Sequence, residues 1–350
     1  MERGTLLVRA DAGVKMGTGH AMRCLALAQG WRHAGGEVIF ALAESTPAVD
    51  RLLRSERFNI TRMGCAPGSA EDLGNTVEVA RACGADWFVV DGYQFDADYQ
   101  KQLQSFRPVL AIDDNGLLDY YAAELVLNQN AHACAELYPH ISPNTKLLLG
   151  PRFALLRNEF VVYHDWTRAI PDRGSRVLLT MGGSDPGNLT PRILPLLAEL
   201  ADHDSRIRVV VGGSAENANF VDGIAARFAG RVEVLRDVWN MAELMAWADL
   251  AISGAGTTCW EMCWLGLPAI LVVVAENQRF IAEQLTALGA VENAGCGDSI
   301  DPASLAELCR QLLADKGKRA GMSLRAKQVV DGRGRDRVLD RMKCGDEMCA

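Results

Sequence analysis

Long apolar runs are missing from this chain. The stretch AILVVVA at 269–275 falls far short of the ~20 residues that a spanning helix needs, so no membrane-inserted helix is expected. A basic excess is missing too. With 36 Lys and Arg against 44 Asp and Glu, a net charge of -8, the chain has no electrostatic footprint for nucleic acid, whose phosphates call for Lys and Arg clustered on one face. The opening segment MERGTLLVRADAG is broken by Arg9 and Asp11 and is too short for the apolar core of a signal peptide, so a cytoplasmic protein is expected. Its 10 cysteines include no paired CxxC framework, which excludes a disulfide-stapled miniprotein and leaves buried or free thiols as the expectation. Cys259 and Cys263 lie four apart, but no second pair has ligand spacing. No metal and no other cofactor is expected.

What is present is apolar and regular. Hydrophobic residues make up 49% of 350 positions, enough for a large core, and at roughly 150 residues per domain the length suggests two domains. Short β-rich runs alternate with helical patterns: TLLVRA, a helix over 20–34 with Ala21, Cys24, Leu25, Ala28 and Trp31 on one face, EVIFAL, the segment 58–63, DWFVVD and PVLAID. Periodicity lapses at DWTRAIPDRGS, 165–175, which reads as a linker. A second series follows: RVLLTM, a helix over 189–200, IRVVVG, RVEVL, a helix over 241–247, DLAIS, a helix from Thr257, and PAILVVV. Apolar strands separated by helices imply βαβ units and parallel sheets. The expected architecture is α/β, two Rossmann-like doubly wound domains at 1–165 and 175–330, with a tail at 331–350 of unknown role.

Ligands of open parallel sheets bind beyond the carboxyl ends of the strands, which directs attention to three loops. In the first, residues 9–28, Gly17 and Gly19 allow close backbone approach, His20 opens a helix and Arg23 sits one turn on. The positive end of that helix disfavours imidazolium, which suits His20 to accepting a proton; a glycine turn with a capping histidine is the plainer reading. In the second, Gly182 and Gly183 precede Ser184, Asp185 and Asn188, a composition able to offer backbone N–H groups to an anion or simply a tight turn. In the third, Ser253, Gly254, Gly256, Thr257 and Thr258 could meet a diphosphate, Glu261 a ribose diol, and Asn277 with Gln278 the same crevice. Trp260 and Trp264 read as core or interface. Asp96 and Asp98 read as helix caps. Asp113 and Asp114, adjacent and therefore on opposite faces, read as turn residues, and His33, His132, His140, His164 and His203 as surface or turn histidines.

The pattern RxDxxxxxGxGHxxRxxxLA over 9–28, VVDGY at 89–93, NQN at 128–130, GPRFALLRNEF at 150–160, GGSD at 182–185 and the WE…G.P…NQ segment together resemble the UDP-2,4-diacetamido-2,4,6-trideoxy-β-L-altropyranose hydrolase family of pseudaminic acid biosynthesis. The motifs span both halves in order, and the C-terminal half alone also resembles MurG-type UDP-sugar glycosyltransferases. The resemblance implies a GT-B architecture with the active site in the interdomain cleft, UDP held by the second domain, and a role in cell-surface glycan synthesis such as flagellin glycosylation. Carried over by resemblance, His20 activates water, Tyr93 lines the sugar pocket, Asp11 belongs to the same loop, Glu261 binds the ribose, and the Gly254 to Thr258 turn with Asn277 and Gln278 meets the diphosphate or sugar.

These residues together point to an inverting, metal-independent hydrolase acting on a small-molecule UDP-sugar as a monomer. Two other readings share the nucleotide groups: a UDP-sugar glycosyltransferase, which would pass the sugar to an acceptor, and a noncatalytic nucleotide-sugar binding protein, which would have no need of His20.

Overall fold

The computed structural model describes residues 3–13, 17–185, 187–200, 204–213, 215, 218–236 and 238–343. His203, Cys344 and Cys349, named above, lie outside the described residues. The chain divides into two compact units, one of Met1–Asn158 together with the segment from Gly332 onward, the other of Glu159–Asp331.

In the first unit, β1 (Thr5–Ala10), β2 (Glu37–Leu42), β3 (Asn59–Arg62), β4 (Ala85–Asp91), β5 (Val109–Ile112), β6 (Leu125–Asn128) and β7 (Lys146–Leu149) form a sheet of order β3-β2-β1-β4-β5-β6-β7. Every pairing is parallel. The crossovers are α1 (Gly19–His33), α2 (Pro47–Ser55), α3 (Ala70–Cys83) and α4 (Ala97–Gln104). Successive side chains of a strand face opposite sides, so β1 serves two cores. Leu6, Val8 and Ala10 pack with Cys24, Leu25 and Ala28 of α1, while Leu7 joins Leu73 and Val77 of α3 and Tyr99 and Leu103 of α4. Asp96 caps α4 by accepting from the Tyr99 N–H, as its place before a helix suggested.

The second unit repeats the plan. Its strands β8 (Arg176–Thr180), β9 (Arg206–Val211), β10 (Val232–Arg236), β11 (Leu250–Gly254), β12 (Ala269–Val273) and β13 (Glu292–Cys296) take the order β10-β9-β8-β11-β12-β13, again all parallel. A short helix α5 (Asn158–Val161) stands at the division between the units. It is followed by α6 (Leu189–Leu200), α7 (Ala218–Ala226), α8 (Met241–Trp247), α9 (Thr258–Trp264), α10 (Arg279–Ala287), α11 (Pro302–Ala314) and α12 (Lys316–Val329). Trp260 is buried in this unit, and Trp264 donates its indole N–H to the Phe160 carbonyl, which agrees with a core assignment. Both sheets reverse strand order at one point, between β1 and β4 and between β8 and β11. The loops after these four strands therefore flank the crevices where such sheets take ligands.

Two boundary expectations change. The stretch at 165–175 is woven into the second unit: Arg168 donates to the carbonyls of Leu265, Ala248 and Met245, Gly174 N–H to Leu313, and Arg319 to the Pro171 carbonyl. Loss of periodicity there marks irregular backbone held by a buried arginine, not a linker. The switch comes earlier, where the Asn158 N–H donates to Gln29 of the first unit and the next residue, Glu159, accepts from the Met241 N–H of the second. The C-terminal segment does not stand apart either. Helix α13 (Gly334–Lys343) places Val338, Leu339 and Met342 in the same core as α1.

Gly334 lies so close to the Ala154 backbone that a Cβ there would come within 2.3 Å of the Ala154 oxygen and 2.5 Å of its nitrogen. Backbone cannot step aside as a side-chain tip can, so Gly334→Ala should cost about 1 to 3 kcal/mol. The check is thermal unfolding, where the variant is expected to melt several degrees below the wild type; an unchanged midpoint would mean that α13 reseats freely.

Candidate active site

The first unit gathers charge at its strand-order reversal. Strand β1 delivers the chain into a loop closed by an antiparallel bridge between Gly13 and Gly17, and Gly17 takes a positive φ of 76° that a side chain would strain. Gly19 and His20 then form the first turn of α1. His20 is 7% exposed, and its Nδ1 lies 2.5 Å from Oδ1 of Asp91, the last residue of β4. Arg23, one turn further along α1, sends Nε to Asp91 Oδ2 at 2.6 Å and Nη2 to Oδ1 at 2.7 Å. The same guanidinium reaches Asp114 just beyond β5, with Nη1 2.6 Å from Oδ1 and Nη2 3.1 Å from Oδ2. Tyr93 stands edge-on to the His20 ring, centroids 5.4 Å apart at 87°, and donates its hydroxyl to Asp114 Oδ2. Tyr93 is 46% exposed and so is the open side of this cluster.

Nδ1 of His20 has two polar neighbours, Asp91 Oδ1 and, at 3.2 Å, Arg23 Nη2. A guanidinium has no acceptor, and an ionised carboxylate has nothing else. Nδ1 therefore carries the hydrogen and donates it to Asp91, which leaves the lone pair on Nε2. Burial by itself would raise the Asp91 carboxyl, but the adjacent Arg23 and His20 outweigh it and hold the group well below the usual carboxylate range. Asp114 is lowered against burial in the same way, chiefly by Arg23. Burial opposes the charge on Arg23, and Asp114 with Asp91 overcomes it. Cys24, whose Sγ lies 3.5 Å from Asp91 Oδ2, is pushed well above its usual value by burial and that carboxylate; it is a thiol and no nucleophile.

Several expected roles change with these contacts. Arg23 is spent on two carboxylates, so it positions Asp91 and does not bind substrate. Asp11 sits away from His20: fully buried, it pairs with Arg9, accepts from the Ala43 and Glu44 N–H groups and receives Gln94 Nε2. It fixes the loop after β1 and does not line a pocket. Asp91 and Asp114 are the site residues that sequence reasoning missed. Asp91 stood inside the quoted VVDGY, and its signal was its place at a strand end opposite GxGH. Asp113 and Asp114 do face opposite ways, and each finds its own work: Asp113 accepts from Tyr138 and from the Gly116 N–H, Asp114 serves Arg23. The NQN segment is the scaffold beneath it. Asn130 Nδ2 donates to Asp114 Oδ1, Asn128 Nδ2 to the Asp114 carbonyl, and Gln129 accepts from the Leu155 N–H.

The second unit brings together the loops after β8, β11 and β12, three neighbouring strands. Gly183 and Ser184 lie in the turn after β8, where Gly182, Asp185, Gly187 and Asn188 all have positive φ. A Cβ on Gly212, at the end of β9, would come within 2.2 Å of the Gly183 oxygen, a close approach that went unread in the sequence. The helix start behind this turn is not open to an anion, because Asp185 accepts from the Leu189 and Thr190 N–H groups. Ser253 is buried and donates to the Gly254 carbonyl, so it is structural. Gly256, Thr257 and Thr258 lead into α9, with Glu261 partly exposed one turn inside it. Gln278 is a latch: its Oε1 accepts from the Ala255 and Val274 N–H groups, tying the two loops, while Asn277 beside it is exposed. Among the described residues no group of three His, Cys, Asp or Glu has the arrangement of a metal site, and no helix is long and apolar enough to cross a membrane.

Asp91→Asn should lower stability by about 3 to 5 kcal/mol near pH 7, because it strips a buried guanidinium of one of its two anions. A carboxyl depressed on folding contributes stability that is complete above its unfolded value of about 3.9 and is lost as pH falls through the lower folded value. Urea unfolding at successive pH values is therefore expected to show the gap between wild type and variant closing below about pH 4. A gap that stays constant down to pH 2 would contradict the ionised state of Asp91.

Comparison with known proteins places these sites in a family context. The chain is 25% identical over 281 residues to the uncharacterised protein MJ1062 of Methanocaldococcus jannaschii, an alignment that covers 78% of this chain. The chain spans little more than half, 56%, of that relative's length. It is 22% identical to the spore coat polysaccharide biosynthesis protein SpsG of Bacillus subtilis, over 94% of this chain and 95% of that one. It is 23% identical to the UDP-2,4-diacetamido-2,4,6-trideoxy-β-L-altropyranose hydrolase of Campylobacter jejuni, over 81% and 97%. Among solved structures, MurG of Acinetobacter baumannii has the same fold with a TM-score of 0.66 at 17% identity, over 97% of this chain and 99% of that one. Residues 177–334 match the family model of the glycosyltransferase family 28 C-terminal domain, and the chain as a whole has the GT-B fold, two Rossmann-like domains with parallel sheets.

Proposed function

We propose that this protein is an inverting hydrolase of a UDP-sugar, with His20 as the general base that activates water. The observation that carries the reading is the His20–Asp91 contact at the strand-order reversal of the first unit, which leaves Nε2 with a free lone pair. A water held against Nε2 gives up its proton as its oxygen attacks the anomeric carbon. The C1–O bond breaks on the opposite ring face, its electron pair leaves on the UDP oxygen, and the transition state has oxocarbenium character. Asp91 stabilises the imidazolium that forms and keeps the ring in one tautomer. Positioned base catalysis of this kind is worth about 10² to 10⁴ in rate. UDP is a stable anion and leaves without an acid; backbone N–H groups of the Gly256 to Thr258 turn and the Gly183 to Ser184 turn, with Asn277 nearby, are the proposed donors to its charge. Glu261 is the proposed partner of the ribose hydroxyls, and Tyr93 lines the sugar position beside His20.

The proposed substrate is UDP-2,4-diacetamido-2,4,6-trideoxy-β-L-altropyranose, the sugar nucleotide of pseudaminic acid synthesis. The Campylobacter relative supports this substrate, and so does the run of motifs across both halves. A transferase is the second reading, favoured by the family 28 match of the C-terminal half. The enclosure of His20 argues against it, because a base this buried is reached more easily by water than by the hydroxyl of a large acceptor.

The test is hydrolysis in H₂¹⁸O without acceptor or metal, followed by NMR and mass spectrometry. Wild type is expected to release UDP and a free sugar inverted at C1, with the heavy oxygen on the sugar. His20→Ala should lose about 10² to 10⁴ in turnover while UDP affinity stays within about twofold; equal loss of both would sink the base assignment. Tight UDP binding without release would favour the transferase. Glu261→Ala is expected to weaken UDP binding by roughly tenfold or more in calorimetry, the value of a hydrogen bond to a charged group, and unchanged affinity would remove the ribose role.

A further inference from the structure

Asp114 is a buried carboxylate that the proposed chemistry does not touch, yet it shares a guanidinium with the carboxylate that holds His20. Asp91 is saturated: Oδ1 receives His20 Nδ1 and Arg23 Nη2, and Oδ2 receives Arg23 Nε and Cys24 Sγ. Asp114 is equally occupied, by Arg23 on both oxygens, by Asn130 on Oδ1 and by Tyr93 on Oδ2. Its side chain is 13% exposed, that of Arg23 3% and that of Asp91 0%, so the three charges interact with little screening.

The charge count then matters. Arg23 and Asp91 alone would be neutral, and a proton on His20 would leave a buried net positive charge. Asp114 brings the cluster to one net negative charge when His20 is neutral, and to zero when His20 is protonated. An uncompensated buried charge is costly, so the added carboxylate favours the protonated state of the imidazole. We infer that Asp114 is a positioning and tuning residue for the base, raising the proton affinity of His20 through Arg23 and stabilising the imidazolium formed as water is deprotonated. The inference rests on the reading of His20 as the base.

The other groups around the cluster do not supply this charge. His20 faces Asp91 from β4, Arg23 from its own helix and the Tyr93 ring from the loop after β4. Asp114 faces Arg23, Tyr93 and Asn130, and its backbone carbonyl meets His132 Nε2 at 3.0 Å. Asp113 is turned away to Tyr138 and the Gly116 N–H, and Cys24 is held as a thiol. A purely structural Asp114 would hold Tyr93 and the loop in place without altering how His20 titrates. A tuning residue must alter it.

The experiment is an NMR titration of the His20 imidazole in the full chain, comparing wild type, Asp114→Asn and Asp114→Glu, alongside the pH profile of UDP-sugar hydrolysis. Asp114→Asn is expected to lower the His20 midpoint by about one pH unit and to move the acid limb of the rate profile with it. Asp114→Glu, which keeps the charge, should restore both. A folded Asp114→Asn variant with an unmoved midpoint would overturn the inference. Should near-UV circular dichroism show that variant unfolded, the wild type still decides: the Asp114 carboxyl carbon should inflect at the His20 midpoint, as coupled sites do, and a flat trace there would overturn the coupling. A shifted midpoint in a chain that hydrolyses no UDP-sugar at any pH would instead remove the proposed function and leave the charge coupling standing.

Discussion

Burying a guanidinium costs several kcal/mol unless anions and hydrogen bonds meet it, and the requirement of Arg23 organises the first unit's site. Its five N–H donors need a fixed fork of acceptors. Asp91 fills one side and Asp114 the other, so the ends of β4 and β5 are pinned to the second turn of α1. His20 lies on the same helix three residues earlier and meets the same Asp91. Removing the arginine would leave two buried carboxylates facing each other. The ring orientation, the Tyr93 hydroxyl and the NQN scaffold all follow from keeping that fork satisfied.

Topology explains why these side chains meet at all. In a doubly wound sheet the loops on either side of the strand-order reversal lead to opposite faces and leave a crevice. In the first unit, the loop after β1 carries GxGH and the end of β4 carries Asp91 with Tyr93. In the second, the loop after β8 carries the glycine turn and the loop after β11 carries Gly256 to Thr258. Each candidate group therefore lies where the fold alone predicts a ligand, before any comparison with other proteins is made.

Much of this was legible in the sequence, for identifiable reasons. Runs such as TLLVRA and DWFVVD are apolar on both faces, as strands buried under two helical layers must be. Helix boundaries at 189–200 and 241–247 were marked by clean periodicity. The strands β6 and β7 were not read, being four residues each, and β13, ENAGC, has too little apolar content to announce itself. The division at Asn158 carries no compositional signal, because it lies in a turn of helix whose neighbouring residues are claimed by different units. Asp114 was discounted by a rule about adjacent residues that holds locally, and no local rule reveals a guanidinium arriving from 91 positions away. Contacts of long sequence separation, such as Asp91 with Arg23 or Arg9 with Asp72, are what one sequence cannot display.

Where hydrolysis and transfer part company follows from the same physics. Both chemistries need a nucleotide held and its departing charge met, and the C-terminal half that matches the glycosyltransferase family answers that need in either case. The choice depends on what the base can reach. His20 is 7% exposed, flanked by the Tyr93 ring and backed by a carboxylate that spends the other ring nitrogen. A base so enclosed has one nitrogen to offer and little room beside it. Water, which needs only one good acceptor to lose its proton, suits that room better than a bulky alcohol, whose approach would have to displace Tyr93 and with it a donor to Asp114. The enclosure that protects the charge cluster thus also selects the nucleophile.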